Sequence, residues 1–218
     1  MGRLFVFILT CIACNLTNAQ GHLRFADEVT AIQKKYDTLW DASKETIVFT
    51  GSSSVRIWKD LQERFPMYHI VNSGFGGSQA SDLLAYSEQL ILHYRPKKVF
   101  IYEGDNDIAG GKKTREIVAQ TDAVISRIVA QNPSAQIVLI AAKPSIARWN
   151  LKSKYKKLNR SFQKLARREE QIHFADVWKP MLDKRKVKQD IFLADGLHMN
   201  AKGYEIWYQV LKPFLEDF

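Results

Sequence analysis

Apolar residues follow two alternating patterns along this chain. Over Phe25–Trp40 they recur at helical spacing, at Phe25, Val29, Ile32, Tyr36 and Leu39, which predicts an amphipathic helix. Thr46-Ile47-Val48-Phe49-Thr50 is instead a continuous β-branched and aromatic run ended by Gly51, the pattern of a buried strand. Ile70-Val71-Asn72, Val99–Tyr102, Gln136–Ile140 and Ile172–Ala175 read as four further strands. Helical segments are predicted over Ser81–Tyr94, Thr114–Gln131, Leu151–Glu170 and Lys202–Lys212. No internal repeat, heptad run or low-complexity tract interrupts the series.

Strand and helix alternate, and the strands are apolar throughout their length. Such runs belong to a parallel sheet covered on both faces. The expected fold is therefore α/β: a three-layer α/β/α, flavodoxin-like, five-stranded parallel sheet with right-handed crossovers. Ligands in such folds bind beyond the carboxyl ends of the strands. Functional residues are expected just after strands one, two and three, and in the loop before the last helix.

The first residues stand apart from this pattern. Arg3 precedes an apolar run from Leu4 through Ala13, and Leu16-Thr17-Asn18-Ala19 ends with small residues at the peptidase positions. Residues 1–19 thus read as an export signal cleaved between Ala19 and Gln20, followed by one domain over 20–218. The run is shorter than the ~20 residues of a spanning helix, so no stable membrane insertion is expected. Lipidation at Cys14 fits less well, because Cys11 stands where a Leu is usual. The expected location is periplasmic or extracellular.

Composition narrows the chemistry. The only two cysteines, Cys11 and Cys14, lie in the leader. The remaining chain therefore has neither a disulfide nor a thiolate for nucleophilic or metal chemistry. The net charge of +9 gathers in Lys152–Arg168 and Lys179–Lys188. Attraction to an acidic polymer is one reading; helical spacing in the first stretch favours a solvated face. No aromatic-interleaved basic motif points to nucleic acid.

Candidate chemistry falls at the expected strand ends. After strand one, Gly51-Ser52-Ser53-Ser54 offers a nucleophilic serine, an anion cradle or an N-cap. After strand two, Asn72-Ser73-Gly74-Phe75-Gly76-Gly77-Ser78 lets backbone approach a bound group. After strand three, Glu103-Gly104-Asp105-Asn106-Asp107 offers an amide for a developing oxyanion, or a helix cap. Before the last helix, Asp195-Gly196-Leu197-His198 pairs a carboxylate with an imidazole, as base activation of a hydroxyl requires. His69 and His93 read as structural.

These four blocks, in this order from Thr46 to Tyr204, resemble the SGNH (GDSL-type) hydrolases. The resemblance implies an SGNH hydrolase fold and an esterase or acylhydrolase needing no metal or cofactor. By position, Ser53 would be the nucleophile, His198 the base and Asp195 its orienting acid. The oxyanion hole would comprise the Ser53 and Gly77 N–H groups and Asn106. The family's usual Gly-Asp-Ser-Leu reads Gly51-Ser52-Ser53-Ser54 here, so Ser52 replaces the Asp. Export suggests a carbohydrate ester, such as an acetylated polysaccharide, or a lysophospholipid as substrate. Trp58 and Trp149 either stack on a sugar or, the favoured reading, cap the core.

Two alternatives use other chemistry. A flavodoxin-like module would hold a phosphate in the serine loop without catalysis. A metal-dependent phosphoesterase would use Asp105, Asp107, Asp195 and His198.

Overall fold

The computed structural model describes residues 24–216; the leader lies outside them. In chain order the elements are α1 (Ala26–Leu39), β1 (Thr46–Gly51), α2 (Ser53–Arg56), α3 (Leu61–Arg64), β2 (His69–Gly74), α4 (Ala80–Ala85), α5 (Ser87–Leu90) and β3 (Lys98–Tyr102). There follow α6 (Asp105–Ala109), α7 (Thr114–Gln131), β4 (Gln136–Ile140), α8 (Lys152–Ala166), β5 (Ile172–Ala175), a small antiparallel pair β6 (Leu182–Asp183) and β7 (Lys186–Val187), α9 (Ala201–Leu211) and α10 (Pro213–Glu216).

β1 to β5 form one parallel sheet in the order β2-β1-β3-β4-β5. Alternation along each strand divides the side chains between two cores. Val48, Val71, Val99, Ile101, Ile137 and Leu139 face one cluster, which also holds residues of α1, α7 and α8. Ile47, Phe49, Ile70, Phe100, Val138 and Ile140 face the other, with Trp207 and Leu211 of α9. Both faces are therefore dry, and all six residues of β1 are buried. Phe49 and Phe100, paired in register, stack at 4.2 Å between ring centroids. The three-layer architecture is the one expected.

Chain order reverses at β1, which pairs with β2 on one side and β3 on the other. That is the switch point where doubly wound sheets open a crevice.

The segment Ser81–Tyr94 is not one helix but α4, α5 and a 3₁₀ turn at Leu92–Tyr94. The Leu84 carbonyl accepts from Ser87 Oγ at 3.0 Å and from Arg127 Nη1 at 2.8 Å, which draws it out of a regular helical ladder. The helix beginning near Leu151 ends at Ala166, before a turn in which Ile172 N–H donates to Glu169 O and β5 begins. Trp58 is 1% exposed and packs on Phe49, Tyr204 and Trp207, so it is a core residue with no face for a sugar. Trp149 is half-buried and stacks on Trp178.

Candidate active site

β1 ends in a tight turn that only glycine fits. Gly51 has φ +122°, and a Cβ there would lie 2.0 Å from the Tyr102 carbonyl oxygen. Ser52 N–H donates to that same carbonyl at 3.1 Å, and Ser53 opens α2. Of the three serines, Ser52 and Ser54 are buried, whereas Ser53 is half-buried. The N-cap position belongs to Ser52, whose side chain makes no capping hydrogen bond. The Ser53 hydroxyl instead lies 3.0 Å from His198 Nε2.

The imidazole sits on a loop fixed by its own backbone. Leu193 N–H donates to His198 O at 2.8 Å, and Gly196 N–H to Leu193 O at 2.9 Å. Asn200 caps α9 by accepting from Lys202 N–H and Gly203 N–H, while its Nδ2 donates to the Asp190 and Phe192 carbonyls. Within this frame Asp195 Oδ1 accepts from Leu197 N–H and His198 N–H, both at 2.9 Å, and Oδ2 lies 2.5 Å from His198 Nδ1. Burial pushes the Asp195 carboxyl up, but these hydrogen bonds outweigh it and hold the group at about 2. A carboxylate at Nδ1 places the proton there and leaves the Nε2 lone pair toward Ser53.

The glycine loop and Asn106 lie tied together at the ends of β2 and β3. Gly77 adopts φ +73°, and Gly76 N–H donates to Glu28 Oε1 of α1 at 3.0 Å. Asn106 Nδ2 donates to Ser78 O at 2.9 Å, and its Oδ1 accepts from Arg148 Nη1 and Nη2 at 3.1 and 3.2 Å. Accepting from a guanidinium fixes which side-chain atom is oxygen, so Nδ2 keeps one N–H beyond the Ser78 bond. Ser78 Oγ donates to Glu103 Oε1 at 2.6 Å, and Ala80 N–H to the Asp107 carboxylate at 3.1 Å.

All five residues singled out in the sequence thus lie at the carboxyl edge of the sheet or in the loop before α9. Ser53, His198 and Asp195 are in direct contact, and Asn106 is bonded to the residue after Gly77. Asp105 and Asp107 serve otherwise. Asp105 is paired with Arg148 at 2.5 Å and Lys143 at 3.7 Å, and Asp107 with Lys112 at 3.3 Å. Among the described residues no group of three or more His, Cys, Asp and Glu side chains gathers as metal ligands. A phosphate cradle also fits poorly: α2 is four residues long, and the Ser53 hydroxyl is engaged by His198.

Lys143, Arg148 and Tyr155 were missed from the sequence. Lys143 is fully buried and donates to Leu197 O at 2.7 Å; Tyr155 donates its hydroxyl to Asp105. The available signal was a lysine ending the apolar run Ile140-Ala141-Ala142, immediately beyond a fourth strand of the same sheet.

The fold is shared with known proteins. A protein from Streptococcus pneumonia, provisionally assigned as a platelet activating factor, superposes with a TM-score of 0.76 at 27% identity, covering 94% of this chain and 99% of its own. A GDSL-like lipase from Bacteroides thetaiotaomicron superposes at 0.70 with 20% identity, covering 85% and 97%. A carbohydrate esterase family 3 protein from Talaromyces cellulolyticus superposes at 0.63 with 16% identity, covering 79% and 97%. No curated protein sequence matches the chain. The model of the GDSL-like lipase/acylhydrolase family matches residues 37–206, a span holding Ser53, Gly77, Asn106, Asp195 and His198, and the chain belongs to that family.

Proposed function

We propose that this chain is an exported, metal-independent serine esterase that forms an acyl-enzyme on Ser53. The observation that carries the reading is the contact of Ser53 Oγ with His198 Nε2 at 3.0 Å, with His198 Nδ1 against Asp195 at 2.5 Å. His198 takes the Ser53 proton as Oγ attacks the ester carbonyl. The carbonyl oxygen, now negative, accepts from the Ser53 and Gly77 N–H groups and the free N–H of Asn106. Collapse expels the alcohol, which leaves with the proton held by His198. Water then attacks the acyl group with His198 as base, releasing the acid and restoring Ser53. Asp195 stays ionised throughout and holds the imidazole in the required tautomer.

Export through a leader at residues 1–19 would bring the enzyme to acetylated polysaccharides or lysophospholipids. Ser53→Ala should reduce hydrolysis of p-nitrophenyl acetate to a residue set by binding alone, while Ser54→Ala should retain turnover and EDTA should leave it unchanged. Full activity in Ser53→Ala, or loss to EDTA, would refute the reading.

A further inference from the structure

The segment after β4 touches both halves of the site. Asn159 anchors its start, accepting from Ala142 N–H at 2.9 Å and donating to Ala142 O at 3.0 Å. Lys143 reaches Leu197 O at 2.7 Å, and Ala147 N–H donates to Gly196 O at 3.0 Å, so two bonds tie this segment to the His198 loop. Arg148 then turns to the other half, where Nη1 and Nη2 both meet Asn106 Oδ1.

Arg148 is itself held in place. Its Nη1 donates to Asp105 Oδ1 at 2.5 Å, and Asp105 is almost fully buried. The Asp105 carboxylate also accepts from the Tyr155 hydroxyl on Oδ1 and the Tyr102 hydroxyl on Oδ2, with Lys143 3.7 Å away. Besides the guanidinium, two hydroxyl donors and the Lys143 ammonium hold this carboxylate in place. A planar fork held on one side presents its N–H groups to Asn106 in one geometry.

We infer that Arg148 is a positioning residue of the oxyanion hole: it orients Asn106 and polarises its amide through Oδ1, so that Nδ2–H is a stronger donor to the oxyanion. Polarisation follows because a hydrogen bond accepted at the amide oxygen draws electrons from the nitrogen. The inference rests on the proposed esterase reading, in which Asn106 meets the oxyanion. Lysine in place of arginine would keep a charge but lose the fork that holds Asp105 and Asn106 together.

The test is a double-mutant cycle on the full exported protein, with active sites counted by fluorophosphonate labelling so that kcat refers to folded enzyme. Loss of one oxyanion donor typically lowers kcat by 10²–10³. Arg148→Ala and Arg148→Lys should each lose a substantial part of that, roughly 10-fold or more, with KM little changed. In an Asn106→Ala background, Arg148→Ala should cost almost nothing further. Equal losses in both backgrounds, or full kcat in Arg148→Lys, would overturn the inference. Labelling of Ser53 should persist in the Arg148 variants; its absence in the unmutated protein would instead sink the esterase reading itself.

Discussion

At the scale of single residues, choice among like neighbours is set by burial. Three adjacent hydroxyls follow β1, and the turn at Gly51 leaves only Ser53 both accessible and within reach of an imidazole 145 positions later. Asp195 and His198, three apart, were readable as a pair because a short turn brings them to one face. Asn106 was readable by place, but its support was not, since Arg148 and Ser78 come from other strand ends. Asn106→Ala should lower kcat by about 10²–10³ with a smaller change in KM. Steady-state kinetics checks this, and a change confined to KM would mean that Asn106 binds the ground state alone.

At the scale of elements, the strands were legible because both of their faces are buried, which writes a continuous apolar run. The helix over Ser81–Tyr94 was not, because Arg127 of α7 competes for a carbonyl of α4 and sequence periodicity carries no trace of that partner. The segment after β4 failed for a related reason. Lys143-Pro144-Ser145 reads as an end to the strand, and the burial of Lys143 is explained only by Asp105 and the Leu197 carbonyl.

The end of β3 carries a second buried acid, Glu103, whose Oε2 has no hydrogen-bond partner among the described residues. Desolvation, helped by nearby Asp107, raises its carboxyl well above the ordinary value of 4.5. The folded state therefore holds a proton that the unfolded chain releases above about pH 4.5, so this group lowers stability as pH rises through that window. Glu103→Gln, which keeps the acceptor for Ser78, should raise Tm at pH 7 to 8 and change it little at pH 4. Thermal unfolding at the two pH values measures the difference; equal shifts at both would contradict a protonated Glu103.

At the scale of the whole molecule, the parallel sheet and its three layers followed from the alternation of elements, while the order of the strands and the way the sheet edge is closed did not. β2 is an outer strand, and α1 covers it: Tyr36 packs on Tyr94 and its hydroxyl accepts from Asn72 N–H at 2.7 Å. Glu28 of the same helix holds the glycine loop through Gly76. The first helix thus both blunts the sheet edge and supports the proposed oxyanion hole. Tyr36→Phe should destabilise the protein by about 0.5–1.5 kcal/mol, because a half-buried N–H loses its acceptor. Denaturant unfolding reads this cost, and an unchanged midpoint would show that the edge bond carries no weight.

Every step of the proposed reaction passes through Ser53 Oγ activated by His198. The most direct measurement is the site of covalent attachment of a fluorophosphonate, mapped by mass spectrometry on the native protein and on His198→Ala. The expected result is one adduct, on Ser53, in the native protein and little or none in His198→Ala. An adduct on Ser52 or Ser54, equal labelling without His198, or no adduct at all would contradict the account.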